Sequence, residues 1–295
     1  YHYSTPDKYA GDNPAAGAVI FYHLKQKAKE LKLEILDDKG TVIRTLSSVP
    51  EPKEADEAEY SEGDEDEPKD VLSTEPGLQS VEWDLAHTGA KLIKGAKVDA
   101  GTPKVGPTAV PGTYTLRLLV DGKTLTTTLV IKPDPRVQLT QAQLVEQLQF
   151  ALKIRDDIST LTETVEQLRS LKQQLDARCQ LLKDTEKAAE LVKAAKALTE
   201  KLDALEAKLH NPKAKVTYDI LAQKGGAKLY SQLSPLLEWV KDSDGVPTQG
   251  MREVYAGLSV ELAQYRSEMK SLVDTDLAAI NKMAKDLDLP YIGVK

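Results

Sequence analysis

A single cysteine, four scattered histidines and 5% aromatic residues narrow the chemistry open to this 295-residue chain before any pattern is read. With only Cys179 present, an internal disulfide and a cysteine-based metal site are both excluded. Cys179 falls in a helical pattern beside Arg178 and Gln180, where a free helix thiol is expected. His2, His23, His87 and His210 show no pairing at metal-ligand spacing, and His23 reads as a core or rim residue at a strand end. Long apolar runs are missing too, and the roughly 18 to 20 residues that cross a bilayer occur nowhere, so no membrane span is expected. No secretory signal pattern is found. The chain opens at Tyr1 rather than methionine, which reads as a fragment or processed form, so the missing signal says nothing about export.

Positive charge is also scarce where nucleic acid would need it. There is no basic stripe with interleaved aromatics, so no nucleic-acid partner is expected. The net charge of −7 is concentrated: residues 50–70 hold eleven carboxylates against Lys53 and Lys69, which leaves the rest of the chain near +2. Such a segment cannot bury enough apolar surface to offset its ordering entropy, and it reads as a solvated loop. Asp64, Glu65, Asp66 and Glu67 supply hard oxygen ligands suited to calcium, but EF-hand spacing is absent. They are not assigned as a metal site.

Two periodicities divide the rest. Residues 15–24 form an apolar, β-branched and aromatic run, and Leu31, Leu33 and Ile35 alternate with Lys32 and Glu34. The Asp37-Asp38-Lys39-Gly40 turn leads into Val42–Leu46 and predicts a hairpin. Val81, Trp83 and Leu85 share one face of a further strand, a Gly- and Pro-bearing loop covers about 86–109, and strands at 113–120 and 124–131 turn at Asp121-Gly122. Six or seven short strands in this span predict an antiparallel β-sandwich with Trp83 and Tyr114 in its core.

Beyond Pro133 and Pro135 the period changes to that of helices. Thr140 and Gln143 form a capping box for a helix of roughly 35 residues, whose stripe runs from Leu144 to Leu175. A second stripe, Leu191 to Leu209, stops at His210-Asn211-Pro212. A shorter helix spans Leu229 to Val240, with Pro235 expected to kink or restart it. Thr248 caps a last long helix carrying Val254, Leu258, Leu262, Tyr265, Met269, Leu272, Ile280 and Leu287. Short connections predict an elongated antiparallel bundle of three or four helices. The fold class is therefore α+β and multidomain. The expected boundaries are an N-terminal extension at 1–13, a sandwich at 14–132 with its insertion at about 50–70, a linker at 133–139, a bundle at 140–290 and a tail at 291–295.

Trp83-Asp84-Leu85, the Gly-rich loop, Pro111-Gly112-Thr113-Tyr114 and the Asp-Gly hairpin resemble the immunoglobulin-like or FlgD-like sandwich of bacterial exported proteins. The order of Asn13-Pro14, Gly17–Tyr22, Leu33–Asp37, Trp83–Leu85, Val110–Tyr114, Lys132-Pro133-Asp134-Pro135-Arg136 and Pro247-Thr248-Gln249 is similar to the C-terminal region of bacterial sortilin-like (VPS10-like) β-propeller proteins. Those are often labelled BNR-repeat or glycosyl-hydrolase-like. The resemblance implies a periplasmic or extracellular setting, an upstream β-propeller as partner, and a noncatalytic accessory or protein-interaction role. A homo-oligomer or protein partner through the bundle is a further expectation. The alternative is a carbohydrate- or peptide-binding module, or a subunit of a glycosyl-hydrolase-like enzyme whose active site lies outside this chain.

Reactive constellations do not emerge. No Gly-x-Ser-x-Gly elbow occurs. Gly122-Lys123-Thr124 imitates the end of a phosphate loop, but the motif's first glycine would fall at Arg117 and the segment is a hairpin turn. No catalytic, cofactor-binding or metal-ligating residue is assigned, and no cofactor is expected.

Overall fold

A computed structural model describes residues 15–49, 71–216, 220, 225–289 and 292–293. The expected extension at 1–13, the acidic insertion at 50–70 with Asp64, Glu65, Asp66 and Glu67, and most of the 291–295 tail lie outside the described residues. The chain is mixed α/β, with strands preceding helices, and it divides into two compact units. Unit 1 comprises Tyr1–His87 and Pro111–Lys132, and unit 2 comprises Thr88–Val110 and Pro133–Lys295.

Unit 1 contains β1 (Ala18–Leu24), β2 (Leu31–Leu36), β3 (Val42–Ser47), β4 (Gly77–Trp83), β7 (Gly112–Val120) and β8 (Lys123–Ile131); β5 (Ala86–Thr88) ends at the unit boundary and β6 (Val105–Thr108) belongs to the 88–110 stretch of unit 2. β1 pairs antiparallel with β4, and the second sheet has the order β3-β2-β7-β8, all antiparallel. Period-2 alternation directs Leu31, Leu33 and Ile35 inward, opposite Leu116 and Leu118 in the register. Trp83 of the first sheet is wholly buried against Tyr114 of the second, edge to face at 5.9 Å between ring centres. Its indole N–H donates to the Ala86 carbonyl at 2.9 Å, so the one polar atom of the ring is satisfied. The Asp121-Gly122 turn has positive φ at both residues (46° and 81°), as a type I′ turn requires. The Asp121 carboxylate also accepts the Lys29 amide at 3.0 Å. On the opposite side of this sheet, Glu34 is buried between Lys32 and Arg117, whose cations hold its carboxyl below the usual range against the cost of burial.

Unit 2 is built on α1 (Gln141–Leu182), with α2 (Ala189–Leu209), α3 (Leu229–Lys241), α4 (Gln249–Leu272) and α5 (Ala278–Asp286). The Thr140–Gln143 capping box forms in both directions, and Thr248 accepts the Met251 amide at 3.2 Å. At 42 residues α1 exceeds the expected 35, because its core stripe continues through Leu175 to Leu182. α3 runs through Pro235 as one helix instead of restarting there. Gly101, at φ +85°, lies against that stretch, and a Cβ there would sit 2.5 Å from the Ser234 carbonyl oxygen. The last stripe also differs from the expectation. Val254 is 53% exposed, because Tyr255 takes the seam by packing its ring on Phe150 at 5.2 Å. A π-helical turn at Val273–Leu277 then divides α4 from α5.

The Gly- and Pro-bearing loop expected within the strand-rich region belongs instead to unit 2. Ala90 and Ile93 are buried in the helical core. Polar contacts fix the segment along α1: the Thr162 hydroxyl donates to the Lys91 carbonyl at 2.8 Å, and the Lys91 amide donates to Ser159 Oγ at 3.1 Å. Farther along, Glu238 of α3 accepts the Thr102 amide at 3.0 Å. Segment 88–110 is a strap on the helices, held because its carbonyls and amides find side-chain partners there.

Candidate functional site

Among the described residues, a buried charge cluster centres on Glu206 of α2, which is 5% exposed. Two basic residues one turn apart on α1 converge on it: Arg169 Nε donates to Oε1 at 2.8 Å and Lys172 Nζ to Oε2 at 3.0 Å. His210 Nε2 stands 3.0 Å from Oε1, and Arg169 Nη1 donates to the Lys94 carbonyl of the strap at 2.8 Å. Burial pushes the Glu206 carboxyl up, but hydrogen bonds from His210, Arg169 and Lys172 outweigh it and hold the group at about 2. A carboxylate so acidic, with both oxygens occupied, is a poor proton donor or acceptor near neutrality. Its evident work is to tie α2 and the strap to α1.

An open groove of about 750 Å³ lies where α1 turns into α2, floored by Leu182, Ala189 and Val192. Its rim carries Lys183, Lys193 and Lys196 against Asp184, Glu186 and Glu200, so it favours neither anions nor cations. Cys179, close by, is half-buried with Sγ 3.9 Å from the Val192 carbonyl, and burial pushes its thiol up, away from the reactive thiolate. Among the described residues, no three His, Cys, Asp or Glu side chains converge on a point that could hold a metal ion. No described helix is long and apolar enough to cross a membrane.

A different kind of surface lies on unit 1. The register of β1 and β4 sets Val19 opposite Glu82, Phe21 opposite Ser80 and His23 opposite Leu78. These residues face away from Trp83 and Val81, and Phe21 and Leu78 are 66% and 69% exposed. His23 is therefore an exposed rim residue of this face and not part of the core. β1 is apolar in both parities, with Tyr22 and Leu24 buried on one side and Val19 and Phe21 open on the other. Strands that read as continuous apolar runs are usually covered on both faces. That was the sequence signal for this surface. For Glu206 the signal was fainter: an acid beside the Leu202–Leu205–Leu209 stripe, and two bases beside the Leu168–Leu171–Leu175 stripe.

No protein-family model, curated protein or solved structure matches this chain.

Proposed function

We propose that the chain is a noncatalytic accessory module of a larger exported sortilin-like β-propeller protein, in the periplasm or outside the cell. Its strands act as an Ig-like or FlgD-like β-sandwich and its helices as an elongated antiparallel bundle, and together they brace the propeller or mediate assembly. The observation that supports this most is the open apolar face of β1 and β4, where Val19, Phe21 and Leu78 crowd one side of a two-stranded layer. Exposed apolar side chains gathered on one face mark interaction surfaces more often than isolated ones do.

Peptide mapping of the native polypeptide is the first test. Propeller peptides contiguous with this chain, or co-purifying with it in fixed ratio, are expected. In the native assembly, Phe21→Glu and Leu78→Glu should expose the junction to limited proteolysis while leaving the melting of the strand-rich unit nearly unchanged. A native polypeptide with no propeller sequence, or a junction indifferent to both substitutions, overturns the reading.

A further inference from the structure

The four-stranded sheet has two edges, and they are built differently. At one edge β3 is six residues long, its register with β2 shifts at Ile35 and Leu36, and Leu72 donates its amide to Ser47 at its end. At the other edge β8 pairs with β7 without interruption over nine residues, and among the described residues it is hydrogen-bonded to no other strand. Between Lys123 and Lys132 it has no charge, no proline and no bulge, the usual devices that blunt an edge. Its core-side residues are set by register: Leu125 opposite Leu118, Thr127 opposite Leu116 and Leu129 opposite Tyr114. Yet Leu125 is 64% exposed while Leu33, two strands away on the same side, is 3% exposed. Thr127 is exposed as well and Leu129 is half-buried, so the row lies open at its Leu125–Thr127 end.

The sequence of that row is self-complementary. Leu125-Thr126-Thr127-Thr128-Leu129 reads the same in both directions. We propose that β8 pairs antiparallel with β8 of a second copy, about a two-fold axis at Thr127, so that two four-stranded sheets become one. Leu125 then faces the partner's Leu129, Thr126 the partner's Thr128, Thr124 the partner's Val130, and Lys123 the partner's Ile131. The inner pairs are apolar, hydroxylic or a mixture of the two, Lys123 at the end meets an apolar side chain, and no like charges meet. None of the stretches outside the described residues offers an alternating β-branched run to fill this edge, since 1–14 holds Thr5 as its one β-branched residue and is broken by Pro6, Gly11 and Pro14, 50–70 is rich in Glu and Asp, and 217–224 is short. A ladder of one strand per copy is small beside a standard interface, so the dimer should form with a Kd on the order of 100 μM. This pairing goes beyond the accessory-module reading and holds whether or not a propeller precedes the chain.

Sedimentation of the full chain across a concentration series tests it. The weight-average mass should climb from 32.4 kDa toward twice that value. Thr127→Lys, at an exposed position, sets two lysines face to face and should hold the chain monomeric with its melting temperature unchanged. Leu125→Glu and Leu129→Lys should each weaken association at least tenfold, and the double variant, which brings opposite charges together in both pairs, should recover most of it. In a Cys179→Ala background, oxidation of Thr127→Cys should give a covalent dimer, and Thr124→Cys should not. A wild-type chain monomeric at every concentration, a dimer that survives Thr127→Lys, or a double variant no better than its parents overturns the proposal. So does a monomeric chain whose β8 instead captures a strand from an unrelated protein.

Discussion

Replacing Glu206 with glutamine removes one negative charge from the centre of the helical unit while keeping the shape of the side chain. Arg169 then faces a neutral amide, while Lys172 keeps its ion pair with Asp203. Held at about 2 in the folded state against its ordinary 4.5, the carboxyl contributes about 3 kcal/mol to folding at neutral pH. That agrees with the roughly 3 to 5 kcal/mol lost when one partner of a buried pair is removed. Because the folded value is the lower one, the contribution is complete above 4.5 and is lost as pH falls toward 2. Urea titrations followed by helical circular dichroism should therefore separate wild type and Glu206→Gln by about 3 kcal/mol at pH 7 and by about half that at pH 3. Carboxylates outside the Arg169–Lys172 cluster titrate over the same range, but they do so in both proteins and cancel in the difference. A gap below about 1 kcal/mol at pH 7, or one that does not shrink at pH 3, would refute the assignment of Glu206 as the ionised anchor of the helical unit.

Four further outcomes follow from the packing. Trp83→Ala should destabilise unit 1 by about 3 to 5 kcal/mol in chemical denaturation, since it empties the largest buried ring and orphans the Ala86 carbonyl. Ile93→Ala, on the strap, should lower the stability of the helical unit by about 2 to 4 kcal/mol, with the loss seen in helical circular dichroism. Gly17→Ala should cost about 1 to 3 kcal/mol by thermal melting, because a Cβ there would lie 2.1 Å from the Trp83 carbonyl oxygen and the backbone must move. Exchanging residues 51–70 for a short Gly-Ser linker should leave the melting temperature nearly unchanged, since the Leu72 amide bond to the Ser47 carbonyl at 3.1 Å already holds the flanking ends together. A calcium-dependent rise in melting temperature confined to the intact chain would instead make Asp64, Glu65, Asp66 and Glu67 calcium ligands.

Features decided within a few residues were legible in the sequence. Asp121-Gly122 announces a turn needing two positive φ values, Thr140 and Gln143 cap each other across one helical turn, and the stripes through Leu168–Leu175 and Leu202–Leu209 name the buried faces of two helices. Trp83 could be placed in a core because its neighbours alternate cleanly. The strap could not be assigned, because a Gly- and Pro-bearing segment has no period, and only the proximity of Thr162, Ser159 and Glu238 decides which unit its amides and carbonyls join. Val254 and Tyr255 compete for one seam, and the choice between them was made by Phe150 on another helix. Glu206 looks like any solvated acid until Arg169 and Lys172 are brought against it from a distant turn. The open row on β8 is the same lesson in a sheet. Spacing along the chain dictates that Leu125, Thr127 and Leu129 share a face, but how far that face is covered is decided by what the fold packs against it, and it half-buries Leu129 while leaving Thr127 and Leu125 exposed.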